Sequence, residues 1–210
     1  MRKALAISII IISILLVSNL YGYYLLANRE EHTFTMNTIV KVYINDKLVY
    51  IKKGDMFNKN IEGLFGFLDA GTKALLYKSD GNTINIEHWD FWLTDVEDND
   101  TRIIYAISDS AWDPNYNTVT LPTNSYVLDA ESDYHTEVSG NTAKIIIIKY
   151  RLFEDTTTIY GSALASKVHY WDDSAWHYAI VLFCVDKFDS AITVNAGDVL
   201  KIEYDIVINP

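Results

Sequence analysis

The sequence predicts an all-β fold, a single β-sandwich or jelly-roll-like domain with one short helix, preceded by an N-terminal transmembrane helix. Three observations carry that expectation. From Thr33 onward the dominant apolar spacing is two, the period of a strand with one buried face. Short turns rich in Asn, Asp and Gly recur between the apolar runs, at "ND" (45–46), "SDGN" (79–82) and "NAGD" (195–198). Eight or more such runs follow one another with a single interruption at helical spacing, the pattern of packed antiparallel sheets. Two regions result: 1–28, a transmembrane anchor or signal segment, and 29–210, an exterior β-sandwich domain.

The first region opens with "MRKALAISIIIISILLVSNLYGYYLLANREEH". Residues 4–27 carry no charge, and 24 residues of helix run about 36 Å, enough to cross ~30 Å of hydrocarbon. A cleaved signal has a shorter apolar core and small residues at −3 and −1 of the cut. Cuts after Gly22 or Ala27 would instead place Leu20 or Leu25 at −3. Tyr21, Tyr23 and Tyr24 stand where an aromatic belt meets the far headgroups, and Arg2 and Lys3 set the N-terminus inside. A lipid membrane contacted through residues 4–27 is therefore the first partner expected, in a single-pass protein with its C-terminal domain outside. Two alternatives stay open: a cleaved signal, and a pilin-like stalk, because "RKA" before "LAISIIIIS" resembles the processing site of archaeal type IV pilin precursors.

The strands follow in order. "IVKVYI" (39–44) and "KLVYI" (47–51) flank Asn45-Asp46 and read as a hairpin. In "GDMFNKNIEGLFGFLDAG", Asp55 is placed to cap a helix carrying Phe57, Ile61, Leu64, Phe65 and Leu68, with Gly71 closing it; Gly63 and Gly66 weaken that helix. "KALLYK" and "TINIEH" form a second hairpin across "SDGN", and "TRIIYAIS" (101–108) is the next strand. A long loop after it, "SAWDPNYNTVTLPTNSY", is expected either to be functional or to be packed down by its own side chains. "TAKIIIIKYRLF" (142–153) and "HYAIVLFCV" (177–185) are apolar on both faces and read as central strands covered on each side. The last strand alternates, with Leu200, Ile202, Tyr204, Ile206 and Ile208 inward and Lys201, Glu203 and Asp205 outward. No internal repeat or low-complexity stretch interrupts this series.

Composition excludes several function classes. Without Arg2 and Lys3 the chain keeps 15 basic residues against 28 acidic ones, a net charge of −13. Nucleic acid is not an expected partner, because counterion release needs clustered Lys and Arg. Cys184 is the only cysteine, so no intrachain disulfide forms; its apolar surroundings predict an inert core thiol. No GxSxG, HExxH, CxxC or P-loop pattern occurs, and no enzyme activity is expected.

The candidate sites are few. "DVEDND" crowds Asp95, Glu97, Asp98 and Asp100, hard oxygen ligands of the kind that hold Ca²⁺, although the order lacks the glycine of an EF-hand loop; a solvated loop is the competing reading. Calcium is thus the one cofactor the sequence leaves open. Asn99 heads the sequon "NDT", an N-glycosylation acceptor if exported. Trp112 and Tyr116, in the long loop beside Asn and Asp, are candidates for stacking a glycan, or else loop anchors. Trp89 and Trp92 in "HWDFWL" share that reading. His169 and His177 could meet around a metal near Asp172 and Asp173; the competing reading is a hairpin with polar turn residues and Trp171 and Trp176 packed on its flanks.

"SAITVNAGDVLKIEYDIVI", with "YAIVLFCVDKF" before it, resembles the C-terminal hairpin of β-domains in structural proteins of archaeal viruses and tailed phages. "VKVYINDKLVYIKKGDMFNKNIEGLF" is similar to their opening hairpin and short helix, and "IIYAISDS…LPTNSYVLDAE" to their mid-domain loop, so the resemblance covers about residues 36–208. It implies a turret, fibre or shell role with no catalytic residues to carry over. The apolar N-terminal segment departs from tail-fibre proteins and points to a virus with a lipid layer or to a cell surface. The function expected is thus a non-enzymatic, membrane-anchored structural protein of a virion or cell surface, assembling with copies of itself or with other surface or capsid proteins. The alternatives are a pilus-like filament, built on the apolar helix or on "TFTMNTIV" (33–40) lent as a strand to the next copy, and a secreted glycan-binding module.

Overall fold

The computed structural model describes residues 35–54, 56–61, 63, 74–86, 91–92, 101–107, 114–122, 124–128, 132–171 and 174–209. Residues 35–209 form one compact unit. The transmembrane helix expected over 4–27 lies outside the described residues; among those described, no helix is long and apolar enough to cross a membrane.

The described strands are β1 (Thr35–Ile44), β2 (Lys47–Gly54), β3 (Ala74–Tyr77), β4 (Thr83–Ile86), β5 (Phe91–Trp92), β6 (Thr101–Ala106), β7 (Ser125–Val127), β8 (Ser132–Ser139), β9 (Thr142–Leu152), β10 (Thr157–Trp171), β11 (Trp176–Val194) and β12 (Val199–Asn209). One five-stranded sheet runs β2-β1-β12-β9-β8. The second runs β11-β10-β6-β7 with β5 also beside β10, and β3-β4 is a separate hairpin. Every pairing is antiparallel. The expected all-β class holds, in antiparallel sheets with almost no helix.

Local chemistry places the turns. Asn45 and Asp46 have φ of 50° and 63°, the left-handed pair that a two-residue hairpin needs and that Asn and Asp tolerate. Gly197 at φ 89° closes the turn before β12, where Asp198 N–H donates to the Asn195 carbonyl at 3.0 Å.

One apolar cluster draws on both large sheets: Val40, Val42, Leu200, Ile202 and Tyr204 from the first, Ile103, Ile159, Leu164 and Cys184 from the second. The thiol of Cys184 is fully buried there, as its neighbours in sequence predict. The far face of the second sheet is covered too. Ala106, Ala163 and Ala165 leave room for Leu121 and Val127 to pack beside Leu182 and Val185. Strand β11, expected to be central, is instead the terminal strand of its sheet; 181–186 is buried without interruption because both its faces are covered and the bridges from Phe57 and Lys78 close over its outer edge. In β9, between β12 and β8, consecutive Ile146 and Ile147 are likewise both buried.

The helix differs from its expected bounds. Helical backbone is described at 59–61 and 63, and Asp55 lies outside the described residues. The cap is Asn58, whose Oδ1 accepts the Asn60 N–H at 3.0 Å. Phe57 pairs with Cys184 instead of joining the helix, because 56–58 extends along the edge of β11: Asn58 N–H donates to the Phe183 carbonyl and Val185 N–H to the Met56 carbonyl. Leu64, Phe65, Leu68 and Gly71 lie outside the described residues.

Gly63 has a structural reason the sequence alone did not suggest. A Cβ there would sit 2.6 Å from the Leu75 carbonyl oxygen and 3.1 Å from Leu76 Cδ2. Gly63→Ala is expected to cost about 1–3 kcal/mol net, because forcing the helical turn off the β3-β4 hairpin outweighs the roughly 1 kcal/mol gained from helix propensity. Thermal denaturation checks it; an unchanged or higher midpoint would mean that the turn and hairpin are not in such contact.

Candidate functional site

The long loop is held by backbone and amide contacts. Asn58 Nδ2 donates to the Thr118 carbonyl (2.9 Å), Lys59 N–H to the Tyr116 carbonyl (2.8 Å) and Asn115 N–H to Thr118 Oγ1 (3.0 Å). Fully buried Asn60 donates through Nδ2 to the Tyr77 and Leu182 carbonyls and accepts the Tyr77 N–H, so one amide ties the helical turn to β3 and β11. Of the two readings of the loop, packing-down describes 114–122.

Of the candidate glycan stackers, Tyr116 is exposed on this loop, and Trp112 lies outside the described residues. So do Trp89, Asp95, Glu97, Asp98 and Asp100 of the possible calcium loop and Asn99 of the sequon. Among the described residues no group of three or more His, Cys, Asp or Glu side chains is arranged to hold a metal ion. In the β10-β11 hairpin His169 pairs with Tyr178 and His177 with Tyr170, on successive rungs of the ladder. Asp172 and Asp173 lie outside the described residues. Trp176 is exposed at this end, where the sequence suggested a packed flank; it sits at the hairpin's tip, beyond the buried stretch of β11.

A concave feature among the described residues lies elsewhere. An open cleft of about 290 Å³ forms where the end of β6, β7, the end of β9 and the 153–157 connection meet. Tyr105 and Tyr126 face each other across the β6-β7 pair, ring centroids 5.9 Å apart, and Phe153 lies 5.5 Å from Tyr105. Tyr105 and Phe153 are buried, whereas Tyr126 is 48% exposed. Around these rings stand Arg151, Glu154, Asp155 and Thr157, with the Arg151 guanidinium carbon 6.0 Å from the Phe153 ring centre.

The rim is pinned by the β11-β12 turn. Phe153 N–H donates to the Asp198 carbonyl (2.9 Å), Gly197 N–H to the Phe153 carbonyl (2.8 Å) and Ala196 N–H to Thr156 Oγ1 (3.2 Å). Asp198 is itself held by the Asn195 backbone N–H and the Asn45 amide, contacts that lower its carboxyl pKa. The sequence did not reveal this site, because Tyr105, Tyr126 and Phe153 are far apart in the chain and meet only through strand pairing. The one local signal was Tyr126, the last residue of the aromatic loop stretch already noted.

Two polar clusters complete the map. On the outer face of the first sheet Asp205, though outward as expected, is only 1% exposed and is bridged by Lys41 (2.7 Å) and Lys144 (3.0 Å). Burial raises its pKa, but hydrogen bonds from both lysines outweigh burial and hold the carboxyl below its ordinary value. At the other cluster Lys52 of β2 and Tyr50 reach Asp186 of β11 at 2.5 and 3.2 Å, joining the two sheets. Here burial prevails, and the Asp186 pKa is raised in spite of the lysine. Both clusters are ion pairs that tie strands together, Asp205 within the first sheet and Asp186 between the two sheets.

No protein-family model, no curated protein and no solved structure matches the chain.

Proposed function

We propose that the chain is a non-enzymatic, membrane-anchored structural protein of a virion or cell surface, its two large sheets forming a β-sandwich of jelly-roll-like layout exposed for assembly or attachment. The observation that supports assembly is the edge of the first sheet. Strand β2 is terminal in it and exposes Leu48, Val49 and Ile51 together. Apolar residues grouped on an edge strand mark a surface suited to a second protein, while Lys47 and Lys53 beside them restrain indiscriminate strand pairing. The filament alternative is less well served. Residues 35–40 already pair with β12, and 38–40 also with β2, so lending them to a neighbour would first require displacing them from the middle of their own sheet.

The test is the intact mass and N-terminal peptide of the native protein extracted with detergent. A chain beginning at Met1 or Arg2, monodisperse in micelles, is the expected result. A start at Leu5 with detergent-stable fibres would replace the anchor by a filament core. A start after Gly22 or Ala27 would release the domain from the membrane and overturn the proposal in favour of a secreted module.

A further inference from the structure

We infer that the cleft between Tyr105, Tyr126 and Phe153 is a binding site for a neutral saccharide. The inference rests on the cleft alone and is independent of how the N-terminal segment is used. Three features of the cleft select the ligand class.

The first is the aromatic wall. Tyr126 is half-exposed and backed by buried Tyr105, the two rings inclined by 31° at 5.9 Å. A ring supported from behind keeps its orientation without a ligand, so a flat apolar surface stacking on it loses little side-chain entropy. The C–H face of a pyranose is such a surface.

The second is the mixed charge of the rim. Arg151 supplies only donors, Glu154 and Asp155 supply only acceptors, and Thr157 supplies both. A ligand that meets donors and acceptors around one ring must itself both donate and accept, as vicinal hydroxyls do. An anion would meet two carboxylates, and a quaternary ammonium, which aromatic walls otherwise suit, would meet the guanidinium near Phe153. An uncharged polyol meets neither repulsion.

The third is size and rigidity. The volume of about 290 Å³ lies at the lower end of ligand pockets, suited to one or two sugar rings and too small for a folded partner. The floor is strand on two sides, and the remaining rim is hydrogen-bonded to the β11-β12 turn, so the site is largely formed in advance. Tyr116, an aromatic that the sequence brought forward, does not line it.

The experiment is saturation-transfer NMR and calorimetric titration of the full chain with glucose, galactose, mannose, N-acetylglucosamine and their β-linked disaccharides, with tetramethylammonium and sulfate as controls. At least one neutral sugar is expected to bind in the micromolar to millimolar range, with affinity reduced about tenfold or more by Tyr126→Ala, equivalent to about 1.4 kcal/mol. Asp155→Asn and Arg151→Gln, both at exposed positions, should weaken the same sugar while leaving the melting temperature unchanged; they decide the matter should Tyr126→Ala fold poorly. Tyr116→Ala should leave binding intact. No neutral sugar binding up to about 10 mM, or binding unaffected by all three cleft substitutions, would overturn the inference. Binding of tetramethylammonium or sulfate in place of every sugar would overturn the ligand class.

Discussion

Replacing Tyr204 by Ala is expected to cost about 3–5 kcal/mol of stability, a large share of what a domain of this size possesses. Tyr204 stands in the middle of β12, itself the middle strand of the first sheet, and its side chain is fully buried in the cluster shared by both large sheets. Its hydroxyl meets Ser162 Oγ of β10 at 2.8 Å, a hydrogen bond that crosses from one sheet to the other. Burial pushes the phenol pKa well up, so the hydroxyl stays neutral over the whole range in which the protein is handled. Truncation to Ala removes a ring from a cluster that includes Val40 and Val42 on the neighbouring β1 and Leu200 and Ile202 on β12 itself. Strands fixed by ladders on both sides cannot collapse into the space, so the cavity term is close to full. Tyr204→Phe separates the two contributions: it keeps the ring and leaves Ser162 without this partner, at about 1–2 kcal/mol. Urea denaturation of the three forms at constant slope reads both values. A cost for Ala no greater than that for Phe would mean that the ring does not fill a core common to the two sheets.

Tyr204 also marks how far the sequence could be read. The alternation of β12 identified Leu200, Ile202 and Tyr204 as inward residues, and all three are fully buried. Asn45-Asp46, "SDGN" and "NAGD" each lie between strands where their turn chemistry places them, because such turns are decided by a few adjacent residues. What escaped was set by residues distant in the chain. The cap moved from Asp55 to Asn58 because 56–58 is drawn out as an edge of β11, a pairing partner more than 120 residues away. Asp205 reads as solvent-facing by period alone, yet lysines from β1 and β9 close over it. The cleft escaped for the same reason: an aromatic pair such as Tyr105 and Tyr126 becomes visible only once the register of β6 against β7 is known. Periodicity reports which face a residue takes; it carries no information on what the face meets.

Lys52→Met is expected to destabilise the protein by about 2–4 kcal/mol at neutral pH, and by little near pH 4. The pair is unequal: the Lys52 side chain is 38% exposed, while Asp186 is only 1% exposed. Removing the lysine therefore leaves a buried carboxylate with the Tyr50 hydroxyl as its remaining partner from β2. Protonation limits the loss, and the sign follows from the raised pKa. A carboxyl whose folded pKa exceeds its unfolded one contributes stability that is fully present below the unfolded value of ~3.9 and is lost as pH rises through the folded value. The wild type already shows this direction at Asp186 because burial outweighs the lysine. Without Lys52 the folded pKa moves further up, so the deficit against wild type opens as pH rises and closes on acidification. Asp205 acts in the opposite sense: its lowered pKa contributes stability above ~3.9 that is lost as pH falls through the folded value. The difference between variant and wild type cancels that contribution, because Lys41 and Lys144 are unchanged. Adding Asp186→Asn to Lys52→Met should recover most of the lost stability and flatten the difference across pH 4–8, since a neutral amide in the same space no longer needs a cation. A deficit for Lys52→Met that stays constant with pH, or that the second substitution deepens, would mean that Lys52 acts by packing its methylenes against the sheet edge and not as the charge partner of Asp186.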